Sequence, residues 1–137
     1  MIAQYLWMIG AVILIVLGTT HLVFTFFRNK FSPRKPQLEE EMKIVSPILT
    51  RETTMWKAWV GFNGSHSAGV IFMGLINLYI ALKYFTLFQA DHLFFLSNIG
   101  TLGFYVWLAK KYWFKVPLVG LIITLICFIS AYLIIIA

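Results

Sequence analysis

The sequence predicts an all-α membrane protein, four transmembrane helices in an antiparallel bundle with both termini outside. Three observations carry that expectation. Hydrophobic residues make up 61% of the 137 and charged residues 12%, where soluble domains hold about 45–50% and about 25%. The apolar residues fall in four long stretches, each near the ~20 residues that a helix needs to cross a hydrocarbon core roughly 30 Å thick. Ten of the eleven Lys and Arg residues sit in two of the three connections. Mean hydropathy is +0.86, too high for one small core, which hides only about 60–70% of the surface that its unfolded chain exposes. Soluble enzyme, nucleic-acid module and disordered linker are all poor readings.

The elements follow in order within a single domain, residues 1–137. The first span covers about residues 2–27 and ends at Arg28, Asn29 and Lys30. No basic residue precedes it, and it exceeds the apolar core of about 7–15 residues in a secretory signal, so it reads as a retained helix. The second covers about 57–83, the third about 91–111 with Lys110 and Lys111 at its end, and the fourth about 115–137. Helices satisfy their own backbone groups in lipid, and the alternating segments of about 10 residues that build a β-barrel do not occur.

Charge orients the spans. Arg28, Lys30, Arg34, Lys35, Lys43, Arg51 and Lys57 lie in the first connection, Lys110, Lys111 and Lys115 in the third, and only Lys83 in the second. The positive-inside rule puts both basic connections in the cytoplasm. The net charge of +6 then reflects topology and contact with anionic headgroups of the lipid bilayer, not nucleic-acid binding. In the cytoplasmic loop 28–56, Pro33 and Pro36 break the chain. Leu38, Met42 and Val45 then share a face of a short amphipathic helix, which suits the headgroup boundary or a solvated connector equally. Ser46-Pro47 has the form of an N-cap followed by proline at the first helical position. It predicts a second span that starts near Pro47 and runs on without interruption, with Trp56 and Trp59 at the interface.

Ionisable groups inside a span are costly and mark functional sites by default. His21 lies roughly 10 Å inward from Arg28 and His66 roughly 13–14 Å inward from Lys57, so successive helices bring two histidines to similar depth. Asn63, His66, Ser67, Val70, Gly74 and Asn77 share one face of the second helix. Gly61, Ser65 and Gly69 form a small-residue ridge that admits a neighbouring helix. Asn98, Thr101 and Tyr105 share a face of the third helix, and Gly120, Thr124 and Cys127 a face of the fourth. The predicted site is His21 and His66, with Asn63, Ser67, Thr101 and Tyr105 around them. Two neutral imidazoles on facing helices suit a haem iron held from both sides, which makes haem b the first candidate cofactor and His21 and His66 its metal ligands. The rival reading makes each histidine a hydrogen-bonding strut between helices. A mononuclear metal is disfavoured because no carboxylate or second sulfur lies within the spans. Cys127 is a packing residue, and Asp91 caps the third helix.

The stretches Leu17-Gly18-Thr19-Thr20-His21, Thr53-Thr54-Met55-Trp56-Lys57-Ala58-Trp59 and Gly61-Phe62-Asn63-Gly64-Ser65-His66-Ser67 resemble a family of small bacterial four-helix integral membrane proteins with a GFNxSHS-type motif. That resemblance implies a multi-pass protein of the bacterial inner membrane and carries over no activity. Size and helix count are also similar to microsomal glutathione transferases and small multidrug exporters, but the charged intramembrane residues of those families are absent. Three functions stay open: a membrane protein binding a cofactor or small hydrophobic ligand at the histidines; a non-catalytic subunit of a homo-oligomer or larger membrane complex; and an enzyme or carrier for a lipid-soluble substrate, with His66 as general base.

Overall fold

A computed structural model describes residues 1–137 and is all-helical. Its order is α1 (Ile2–Phe26), a 3-10 turn (Asn29–Phe31), α2 (Pro36–Ile44), α3 (Met55–Lys83), α4 (Phe85–Phe88), α5 (His92–Tyr112) and α6 (Lys115–Ile136). Four of these, α1, α3, α5 and α6, are long and apolar enough to cross a membrane. The chain divides into two compact units: Met1–Leu17 with Val70–Ala137, and Gly18–Gly69.

The larger unit is built around Trp7. Its indole is fully buried, stacked on Phe128 at 3.7 Å and 11° between planes, and met edge-on by Phe95 at 4.7 Å. Ala3, Leu14, Leu102, Leu121 and Ala131 complete the core. The Trp7 indole N–H donates to Oδ1 of Asn77 at 2.9 Å, and Nδ2 of Asn77 donates to Met73 O and to Oδ1 of Asn98, both at 2.8 Å. Every buried polar side-chain atom is satisfied, as burial away from water requires. Glycine permits close backbone approach here: a Cβ on Gly74 would lie 2.9 Å from the Ala11 carbonyl oxygen and the Ile15 nitrogen. Trp113 and Phe114 join α5 to α6, which pack along one another as a hairpin. Asp91 caps α5 by accepting the Phe94 N–H at 3.0 Å.

The smaller unit holds the end of α1, the loop and the first half of α3. Here the predicted helix start at Pro47 is corrected. Residues 45–54 are a loop, and α3 begins at Met55. Thr54 is the cap, its Oγ1 accepting the Lys57 N–H at 3.3 Å. Pro47 instead opens a turn closed by the Thr50 N–H on its carbonyl at 3.3 Å, and the Met55 N–H reaches back to Val45 O at 2.8 Å. Those bonds offer the backbone a closed loop in place of a helical turn.

The ridge of Gly61, Ser65 and Gly69 is also corrected. A Cβ on Gly61 or Gly69 would meet nothing within 4 Å, whereas one on Gly64 would meet the Phe26 ring at 2.9 Å. On α3 the close approaches occur instead at Gly64 and Gly74, away from that ridge.

Candidate functional site

In the smaller unit the end of α1 and the start of α3 bring His21, Asn63 and His66 together. Asn63 is three residues before His66 and therefore on the same face of α3. Its Nδ2 donates to the Trp59 carbonyl, one turn back, at 2.8 Å, which fixes the orientation of the amide. Oδ1 is then turned to Nε2 of His21, at 2.9 Å. An amide oxygen only accepts, so Nε2 donates the proton in this bond and Nδ1 is the second ring nitrogen. His66 meets the His21 ring edge to face, with centroids 5.4 Å apart and planes at 72°. Both imidazoles are half-buried.

The chain beyond α1 folds back over this pair. Arg28 is extended, with φ −140° and ψ 152°, and the 3-10 turn that follows carries Phe31 to 4.5 Å from the His21 ring. The Phe31 carbonyl accepts the indole N–H of Trp59 at 3.2 Å, and the Thr25 hydroxyl donates to His21 O at 2.9 Å. Beside the pair lies a cleft of about 50 Å³, lined by Thr25, Arg28, Phe31, Trp56, Trp59 and Asn63 among others. That is room for a few waters or one small polar group. Arg28 is exposed and makes no ion pair.

The six residues singled out from the sequence thus divide. His21, His66 and Asn63 are together. Ser67 is fully buried one turn further along, but its hydroxyl donates to Asn63 O at 2.7 Å and faces its own helix. Thr101 and Tyr105 belong to the larger unit. The Thr101 side chain is exposed and donates to Ser97 O at 2.8 Å, while Tyr105 packs on the apolar core near Trp113. Leu102 and Ala109 hold the buried line of α5, and Thr101, one residue before Leu102, turns about 100° away from it. Phe31 and Trp59 were missed as site residues. Trp59 had a signal, since it stands four residues before Asn63 and so on its face; Phe31 is brought in only by the fold-back.

A haem held from both sides requires its flat macrocycle between the two imidazoles. Here the rings touch edge to face at 5.4 Å, Nε2 of His21 is bonded to Asn63, and the adjoining cleft encloses about 50 Å³. His21 and His66 as placed do not fit that group. There is also no cluster of three or more His, Cys, Asp or Glu side chains able to hold a metal ion.

No protein-family model, no curated protein and no solved structure matches this chain.

Proposed function

We propose that this chain is a multi-pass protein of a bacterial inner membrane, its four helices an antiparallel bundle with both termini outside, and that His21, Asn63 and His66 bind a small membrane-soluble molecule by its polar group. The observation that carries the reading is the Asn63–His21 hydrogen bond at 2.9 Å with the His66 ring alongside. Asn63 fixes one proton of His21 and leaves the second ring nitrogen to accept from a ligand. Arg28, Trp56 and Trp59 line the adjoining cleft, and indoles favour the membrane–water interface. Few polar groups in aromatic surroundings are what small-ligand sites are made of.

The test is mass spectrometry of small molecules that co-purify in mild detergent, for the wild type and for His21→Phe, His66→Phe and Asn63→Leu. One molecule enriched in the wild type and lost from folded variants is the expected result. Identical profiles would overturn the reading. Visible spectra of the same samples should show no Soret band; a band lost in both histidine variants would restore the haem alternative.

A second reading, a non-catalytic subunit of a larger membrane complex, is favoured by one observation. Gly61 and Gly69 stand open, and small residues are what close helix–helix contacts in lipid use. Stoichiometric partners that co-purify, with no enriched small molecule, would favour it.

A further inference from the structure

The loop between α2 and α3 presents its most apolar residues to the outside. Ile44 is 80% exposed, Val45 52%, Ile48 109% and Leu49 94%. Ile48 and Leu49 occupy the two central positions of the Pro47–Thr50 turn. Such positions normally hold Gly, Asn, Asp or Ser, whose backbone or side-chain chemistry suits a turn. Two large aliphatic side chains there gain nothing from the turn, and water disfavours both.

The turn is also held in shape. Met55 N–H to Val45 O at 2.8 Å closes the loop at its base, and the Thr50 hydroxyl accepts the Glu52 N–H at 3.1 Å just past the tip. The aliphatic pair therefore stands on a braced support.

What meets it follows from reach and charge. α3 has 29 residues, about 43 Å at 1.5 Å per residue. The hydrocarbon core is only roughly 30 Å thick, and the headgroup layers bring the bilayer to about 40–45 Å. A crossing α3 therefore starts at headgroup level. Leu49 precedes Met55 by six residues, at most about 20 Å of chain, so the tip cannot leave the neighbourhood of the lipid surface. Arg51 and Lys57 follow it closely in the chain, both exposed and neither in an ion pair. Exposed basic residues beside a membrane are drawn to anionic lipid.

We infer that the 45–55 loop is a membrane-docking finger, with Ile48 and Leu49 inserted among the headgroups of an anionic bilayer and Arg51 and Lys57 on its lipid phosphates. The inference rests on the four long helices, α6 among them, crossing the membrane together, and its failure must be distinguishable from failure of that reading. Two readouts in nanodiscs serve. The first is the rate of tryptic cleavage after Arg51 in full-length protein, in phosphatidylglycerol-containing discs, in pure phosphatidylcholine discs and in detergent. Cleavage should be slowest in the anionic discs, and Ile48→Asp with Leu49→Asp should restore it by at least about tenfold, the scale of taking one large aliphatic side chain out of water.

The second places an environment-sensitive fluorophore at Leu49→Cys, or at Ile122→Cys on α6, in a Cys127→Ser background, with quenchers carried on the lipids. The label at 49 should be quenched by shallow quenchers and the label at 122 by deep ones. A label at 49 that stays in water, with 122 quenched and Arg51 cut equally fast in every environment, overturns the finger and assigns the tip to a protein partner. A label at 122 that escapes all quenchers overturns the crossing itself.

Discussion

Two asparagines on α3 make the same local bond and serve different ends. Asn77 and Asn63 each donate Nδ2 to the carbonyl four residues back, at Met73 and Trp59, both at 2.8 Å. Each thereby turns Oδ1 to an aromatic N–H on α1, from Trp7 and from His21, both at 2.9 Å. The difference lies in the partner. An indole can only donate, and here it is stacked and fully buried, with its partner Asn77 tied on to Asn98. An imidazole has a second nitrogen that can accept or take a proton, and His21 is half-buried beside a cleft. The same amide device makes a fixed lock in the larger unit and a site still able to do chemistry in the smaller one.

The comparison breaks first at Trp7. Trp7→Ala should cost about 3–5 kcal/mol, the usual loss for a buried aromatic. Trp7→Phe keeps much of the stack on Phe128 and loses the hydrogen bond, worth about 0.6 and at most about 1.7 kcal/mol between membrane helices. Thermal unfolding in mild detergent separates the two, and equal losses would mean that the bond, not the packing, holds the unit. Next comes the helix contact. Gly74→Val should destabilise by about 1–3 kcal/mol, because a side chain there meets the backbone of α1. Gly69→Ala faces open space and should be neutral or stabilising by up to about 1 kcal/mol, the difference in helix propensity.

Asn63 sharpens the contrast from the other side. Asn63→Leu should cost under about 1 kcal/mol, yet it should redistribute the proton of His21. Nitrogen NMR of labelled histidine should show Nε2–H dominant in the wild type and mixed tautomers in the variant. An unchanged spectrum would remove Asn63 as the orienting group.

The smallest effect belongs to α2. Its Glu39 carboxyl is held below the usual carboxylate range by Lys43, 3.0 Å away, and then by the Ser32 hydroxyl. The Lys43 ammonium is raised above the usual lysine range by Glu40 and Glu39. The depressed carboxylate stabilises above its ordinary value and loses that contribution as pH falls through the lowered one. The raised ammonium stabilises below its ordinary value and loses its contribution as pH rises through the raised one. All three groups are at the surface, where ion pairs are weak and screened by salt. Helicity of an isolated 35–45 peptide should therefore dip slightly at both extremes, and less in high salt.

How much of this was legible in the sequence depends on the range of each interaction. Four apolar stretches, and Asp91 as a cap, are local facts of composition and spacing. The Asn63–His66 spacing is local too, and depth arithmetic singled out His21 with it. Phe31 was not legible, because only the fold-back after Arg28 brings its ring to His21. The exposure of Thr101 was not legible either, because a three-residue spacing from Asn98 leaves about 60° around the helix, enough to move a side chain from the buried line to the outside. Pro47 misled because the Ser-Pro pair fits a turn as well as a helix start, and the bond from Met55 back to Val45 decides between them.

Seventy residues separate Trp7 from Asn77, and that interval is also a waiting time. At about 5–20 residues per second of synthesis, α1 leaves the ribosome roughly 4–14 s before the amide that accepts its indole proton exists. During that interval the N-terminal helix has neither its lock nor its stacking partner Phe128. Its retention in the nascent protein must then depend on hydrophobicity and on the insertion machinery. Chains truncated before α3 should accordingly be cleared quickly by membrane proteases, and chains ending after α5 should be the first to persist.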